Sequence, residues 1–141
     1  MDDPAHETLY ATGLAMRKRV VGEDYVAAAL EKGSSDFLRP WQQLATEAAW
    51  GTVWSRPGLD LKTRSLLNLV MLTALGKWTE LGTHMRGAVR NGASEVEIRE
   101  ALLQASIYCG MPAGMEAFRV ADRVLNEMEE RGEIKRERQG V

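Results

Sequence analysis

The chain contains two histidines, and one of them lies four residues after a glutamate. Glu80 and His84 project from the same face if this segment is helical. A carboxylate beside an imidazole can fix the tautomer of the ring and raise its pKa. The pair is therefore a candidate for proton transfer. The alternative is an exposed i,i+4 pair that only stabilises the helix. The other histidine, His6, lies near the N-terminus, where we expect exposure to solvent.

Two arginines are candidates for binding a carboxylate. Arg64 lies near the start of a very apolar segment, and Arg56 lies in the Ser-Arg-Pro-Gly stretch before it. A guanidinium group binds a carboxylate through two parallel hydrogen bonds. A solvated or structural arginine is the alternative at either position. We favour Arg64, because its segment offers little polar surface to solvate it.

Three further residues are candidates for the wall of a pocket. Trp50 and Trp54 belong to a group of four tryptophans, although packing in a core or interface is the commoner role of this residue. Cys109 is the single cysteine and lies at a predicted helix C-terminus. The helix dipole disfavours a thiolate there, so we interpret Cys109 as a small packing residue or part of a pocket wall.

Composition narrows the functional class. The chain has 141 residues, which predicts a single domain over 1–141 with its core at about 16–128 and a charged, frayed tail at 129–141. A net charge of −2 argues against a nucleic-acid partner. The longest apolar run is about half of what a membrane span requires, so no membrane partner is expected. The acidic N-terminus does not resemble a signal peptide, and a cytoplasmic location follows. One cysteine and two histidines predict no metal site.

Capping residues, prolines and glycines mark the predicted ends of the helices. Asp3-Pro4 resembles a cap followed by proline at the first helical position, and Ser94-x-x-Glu97 matches a capping box. The segment from Ser65 to Leu75 is apolar nearly all round, which predicts burial in the centre of the fold or in an oligomer interface. The predicted helices cover 4–21, 24–31, 41–54, 61–75, 79–90, 95–109 and 113–128. Because strand patterns are missing from the sequence, the predicted fold class is all-α, a bundle of about six to seven helices.

Three stretches of the sequence resemble the carboxymuconolactone decarboxylase family. They are AWGTVWSRPGLDLKTRSLL at 49–67, ELGTHMRGAVRNG at 80–92 and EIREALLQASIYCGMPA at 97–113. The similarity covers about residues 16–124. It implies an alkyl-hydroperoxidase D-like fold and a homo-oligomer, either a trimer or a hexamer.

Redox relatives in this wider group use a Cys-x-x-Cys pair followed by x-x-x-His. Counted back from His84, the two cysteine positions hold Lys77 and Glu80. The resemblance therefore argues against a thiol peroxidase. It also implies that Glu80 and His84 are catalytic. Glu80 replaces the second cysteine of the redox pattern and His84 keeps its histidine, as expected if the site transfers protons.

The resemblance implies cofactor-free decarboxylation of 4-carboxymuconolactone to 3-oxoadipate enol-lactone, in the protocatechuate branch of the β-ketoadipate pathway. The partner would then be a small carboxylated lactone. Within this hypothesis His84 donates a proton to carbon or to the lactone oxygen, Glu80 orients it, and Arg64 or Arg56 binds the spectator carboxylate. One alternative is a family member that acts on another lactone or keto acid. Another is a non-catalytic helical oligomer that binds a small aromatic acid.

Overall fold

The computed structural model describes residues 3–137, and these residues fold into two compact units that divide between Leu61 and Lys62. All regular structure among the described residues is helical, as the sequence predicted. No helix in this part of the chain is long and apolar enough to cross a membrane.

The N-terminal unit contains α1 (Pro4–Val21), α2 (Glu23–Lys32), α3 (Arg39–Leu44) and a π-helix (Ala45–Trp54). The carboxylate of Asp3 accepts a hydrogen bond from the Ala5 amide at 2.9 Å and caps α1 as predicted. Gly22 ends that helix with a φ of 95°, a value that favours glycine. The core of this unit consists of Val20, Val21, Val26, Trp50 and Trp54.

The predicted α-helix over 41–54 was wrong in type. The helix begins at Arg39, and from Ala45 to Trp54 its hydrogen bonds close one residue further along than in an α-helix. Two hydroxyl groups follow the same spacing. Thr52 Oγ1 donates to the Glu47 carbonyl at 3.1 Å, and Ser55 Oγ donates to the Trp50 carbonyl at 2.8 Å. Hydrophobic periodicity over ten residues does not separate these two helix types, so the sequence could not predict the difference.

The C-terminal unit contains most of α4 (Leu61–Leu75), together with α5 (Trp78–Arg90), α6 (Glu95–Cys109) and α7 (Met111–Glu130). The predicted capping box opens α6, since Ser94 Oγ accepts from the Glu97 amide at 3.0 Å and Glu97 Oε1 accepts from the Ser94 amide at 3.1 Å. The core joins α4 to the later helices. Its largest completely buried side chains are Leu69, Leu81, Met85, Ile98, Leu102 and Met128.

Two predicted features at the end of this unit were wrong. The last helix begins at Met111 and not after Pro112, because proline fits the first turn, where its missing N–H costs no hydrogen bond. The tail from 129 to 137 is not frayed. The helix continues to Glu130, and the Arg136 guanidinium binds Glu95 at 2.6 Å and Asp122 at 2.9 Å. Residues 138–141 lie outside the described part of the chain.

Candidate active site

Helix α5 places the predicted pair at the edge of its buried face. Leu81, Met85 and Ala88 are buried against the core, and His84 is partly buried beside them. Glu80 lies one turn earlier and is exposed. The i,i+4 spacing therefore puts both side chains on one helical face, with the imidazole on the protein side and the carboxylate on the solvent side.

A side chain of another helix contacts the His84 ring. Asn68 of α4 holds its amide nitrogen, Nδ2, 3.4 Å from His84 Nδ1, which is long for such a bond. An amide N–H donates, so this contact suits the neutral tautomer in which Nδ1 accepts and Nε2 carries the proton.

Burial sets the charge of this histidine. Desolvation lowers the pKa of His84 from 6.5 to about 4, and the charge of Glu80 opposes this shift without overcoming it. The effect considered from the sequence, a carboxylate that raises the pKa, is therefore present, but loss of water around the ring outweighs it. At neutral pH the imidazole of His84 is uncharged and can serve as a hydrogen-bond donor.

Helix α4 brings a second group of polar side chains to the C-terminal unit. Arg64 and Asn68 are four residues apart, so they share a face of α4, and both are partly buried. One position beyond Arg64, the buried Ser65 accepts a hydrogen bond from Asn91 at the end of α5, at 2.9 Å. Contacts at both Ser65 and Asn68 therefore fix α4 against α5.

The other predicted site residues lie in different surroundings. Cys109 is exposed as the last residue of α6. Trp50 and Trp54 are buried in the N-terminal unit, where their rings stack with centroids 4.9 Å apart. Arg56 is exposed just after the π-helix. The predicted roles of these four residues in a pocket stay predictions.

Sequence reasoning missed Asn68. Its signal was present, since it is the one amide side chain within the apolar run from Ser65 to Leu75. A polar residue in such a run calls for a partner in the folded protein. The partner, however, comes from a different helix, and spacing along one helix does not reveal it.

A cavity of about 510 Å³ lies elsewhere in the C-terminal unit. Its walls come from α6, α7 and residues 134–137, with Leu102, Phe118, Leu125 and Ile134 among them. His84 is not among the residues that line it. The cavity therefore does not define the surroundings of the His84 ring.

Comparison with known proteins identifies the class. The family model of the carboxymuconolactone decarboxylase family matches residues 39–123 of this chain. This match covers more than half of the chain and includes all of α4 and α5, the helices that hold Arg64, Asn68, Glu80 and His84. The chain belongs to the carboxymuconolactone decarboxylase family, and its all-helical structure fits the alkyl-hydroperoxidase D-like fold.

Individual relatives are similar over most of the chain. It is 50% identical to the nitrosuccinic acid decarboxylase of Metarhizium robertsii over 135 residues, which is 96% of this chain and 94% of that relative. It is 40% identical to the 4-carboxymuconolactone decarboxylase of Acinetobacter baylyi over 122 residues, which is 86% of this chain and 90% of that relative. An uncharacterized 15.0 kDa protein of Paracoccus denitrificans is 35% identical over 68% of this chain and 67% of its own length.

Proposed function

We propose that this protein is a decarboxylase whose substrate is a small acid with two carboxylates. The single observation that carries this proposal is the neutral, partly buried imidazole of His84 in a chain of this family. A ring with its proton on Nε2 suits the stabilisation of charge that develops on an oxygen atom as carbon dioxide leaves. Similarity to two named decarboxylases supports the same reaction.

The favoured substrate is nitrosuccinate, because the similarity to nitrosuccinic acid decarboxylase is the higher of the two and covers nearly all of the chain. The second candidate is 4-carboxymuconolactone, the substrate that the sequence resemblance implied, supported by 40% identity to an enzyme of that name. The two acids share one chemical feature. In each, the departing carboxylate is conjugated or adjacent to a group that accepts electrons, a nitro group in one and an unsaturated lactone in the other.

The reaction breaks one carbon–carbon bond and forms one carbon–hydrogen bond. As carbon dioxide leaves, its bonding electrons move to the acceptor group and give a nitronate or a dienolate. His84 Nε2–H donates a hydrogen bond to the oxygen that takes up this charge. A pKa of about 4 favours this role over that of a protonated acid, so we assign the proton that carbon then receives to water. The chemistry requires no cofactor.

Charged groups near the ring have supporting roles in this proposal. Glu80 lies one turn before His84 on the same helical face, and its role in this proposal is to orient the ring. Arg64 binds the carboxylate that stays on the product, as a bidentate pair. Arg56 is the alternative for that role.

A homo-oligomer is part of the proposal. Helix α4 buries Ser65, Leu69 and Thr73 on one face, while the opposite face exposes Leu67, Met71 and Leu75 with exposed fractions of 47%, 52% and 70%. An exposed apolar helix face of this kind is typical of a subunit interface. We expect a trimer or hexamer by light scattering, and a monomer at all concentrations would contradict this part of the proposal.

The deciding experiment is a direct decarboxylation assay with both candidate substrates. We expect turnover of nitrosuccinate, measured by release of carbon dioxide, and a lower kcat/KM for 4-carboxymuconolactone. Arg64→Ala should raise KM at least about tenfold, since a bidentate ion pair is worth more than one tenfold step in affinity. Arg119→Ala is the matched control, because Arg119 is exposed on α7 and pairs with Glu116. Absence of turnover with both acids would refute the proposed reaction.

A further inference from the structure

A buried cation that forms no ion pair with a described carboxylate lies in the N-terminal unit. Arg17 of α1 is only 6% exposed. Its Nη1 donates hydrogen bonds to Gln42 Oε1 at 2.9 Å and to Thr46 Oγ1 at 3.3 Å, and both acceptors are neutral. No carboxylate among residues 3–137 pairs with this guanidinium. The usual arrangement of a buried charge, a paired one, is therefore missing from the described residues.

The acidic residue next to Thr46 in sequence binds other partners. Glu47 follows Thr46 in the π-helix, and its two carboxylate oxygens bind His6 at 2.8 Å and Gln43 at 3.1 Å. Burial lowers the pKa of Arg17, and among the described residues only the phenol groups of Tyr25 and Tyr10, which are neutral at pH 7, oppose this shift. Within residues 3–137, the desolvation cost of this cation is therefore not offset by an ion pair.

The remaining donors of Arg17 form one edge of the guanidinium plane. Nε and Nη2 hydrogen-bond to no described residue, and both keep some contact with solvent. These two N–H groups point in parallel and match the two oxygens of a carboxylate.

The neutral acceptors hold the guanidinium in place from the other side. Gln42 is itself fixed, since its Nε2 donates to the Ala29 carbonyl at 3.3 Å. Thr46 is completely buried. The arginine is thus positioned in advance of any binding event, which reduces the entropic cost of taking up a ligand.

We propose that Arg17 binds a carboxylate group of a small dicarboxylic acid through Nε and Nη2. Its small exposed fraction restricts the site to a compact anion and excludes an extended polymer. The carboxylate belongs to a free acid that binds the N-terminal unit, so this site does not rest on the proposed function.

The test uses the full-length protein and sodium succinate as the probe. Isothermal titration is performed against sodium chloride at equal ionic strength, so that general salt effects cancel. We expect saturable binding of succinate to the wild type and at least about tenfold weaker binding to Arg17→Met. Replacement of an unpaired buried cation by methionine is expected to preserve the fold. Arg17→Lys keeps the charge but loses the paired donors, and should also bind more weakly.

Arg19→Met is the matched control, because Arg19 lies on the same helix and is exposed. It should bind succinate like the wild type. Equal binding by Arg17→Met, or no binding by the wild type, would overturn the proposal. If succinate has no effect and Arg17→Met instead changes the molar mass in light scattering, the partner of Arg17 is a second copy of the chain and the proposal is wrong.

The titration is independent of the proposed reaction. Because it needs no turnover, failure of the proposed reaction would leave the binding result intact.

Discussion

The two histidines of this chain each have a carboxylate neighbour, yet their pKa values move in opposite directions. His6 is exposed, and its hydrogen bond to Glu47 raises its pKa above 6.5. His84 is partly buried, and loss of water lowers its pKa to about 4 although Glu80 acts to raise it. A carboxylate in the neighbourhood therefore does not decide the charge of an imidazole. Direct contact and access to solvent decide it.

The geometry explains the difference. His6 Nδ1 lies 2.8 Å from Glu47 Oε2 across two helices of the N-terminal unit. The corresponding nitrogen of His84 faces the neutral amide of Asn68 at 3.4 Å, and Glu80 influences the ring through its charge. One histidine is thus an exposed ring in an ion pair with the buried carboxylate of Glu47, and the other is a neutral ring at the edge of a core. Only the second suits the stabilisation of a developing oxyanion.

The largest expected effect is a difference in decarboxylation activity between variants of the two histidines. His84→Gln should lower kcat/KM for decarboxylation about a hundredfold or more, because loss of one preorganised donor to an oxyanion costs this much. The kcat/KM of His6→Gln should stay within about twofold of the wild-type value, since the ion pair of His6 has no proposed catalytic role. Circular dichroism of both variants checks that the helices remain. A folded His84→Gln with nearly unchanged kcat/KM would remove His84 from the mechanism.

The second largest effect is expected from a substitution that gives His84 a carboxylate partner like that of His6. Asn68→Asp places a carboxylate within reach of His84 Nδ1, and a nearby opposite charge favours the protonated ring. The pKa of His84 should rise by about one unit or more, as followed by an NMR titration of the ring protons. The resonances of His6 are the internal control and should not move. An unchanged pKa at His84 would mean that Asn68 does not contact the ring in solution.

The local part of this site was predictable from sequence, whereas the part that depends on contacts between helices was not. The spacing of Glu80 and His84 is local, so the sequence placed both on one helical face. The contact between Asn68 and His84 joins two helices, and the depressed pKa depends on how those helices exclude water. Both are tertiary properties. The i,i+4 spacing in the sequence therefore predicted that Glu80 and His84 share a helical face, whereas the direction of the pKa shift depends on burial that the sequence does not reveal.

In the fold, too, local features were predictable and contacts between distant residues were not. Caps at Asp3 and Ser94 are local hydrogen bonds, and the sequence predicted both. The order of the tail was missed because Arg136 binds Glu95, a residue 41 positions earlier. The π-helix was missed because it satisfies the same apolar pattern as an α-helix. The close approach of α1 to it depends on Gly13, where an added Cβ would lie 2.0 Å from the Thr46 carbonyl oxygen.

A third, smaller effect concerns stability as a function of pH. The pKa of His84 is lower in the folded protein, at about 4, than in the unfolded chain, at 6.5. Between these values the unfolded state binds more protons, so the free energy of unfolding rises with pH, by at most about 1.4 kcal/mol per unit. Urea titrations from pH 4 to 6.5 should reveal this slope. His84→Gln should flatten it, whereas His6→Gln should not; an equal slope in His84→Gln would assign it to other groups.

The smallest expected effect comes from the ion pair of His6 with Glu47, and its sign is opposite. The pKa of His6 is raised on folding, so its contribution to stability is complete below 6.5 and is lost as pH rises through the folded value. The pKa of Glu47 is lowered on folding, so its contribution is present above 4.5 and is lost as pH falls through the folded value. His6→Gln should therefore lower Tm most between pH 4.5 and 6.5 and least at alkaline pH. Salt should reduce this difference, since exposed charges are screened. A Tm difference that grows with pH would mean that His6 stabilises the fold as a neutral ring, and the contrast between the two histidines would then disappear.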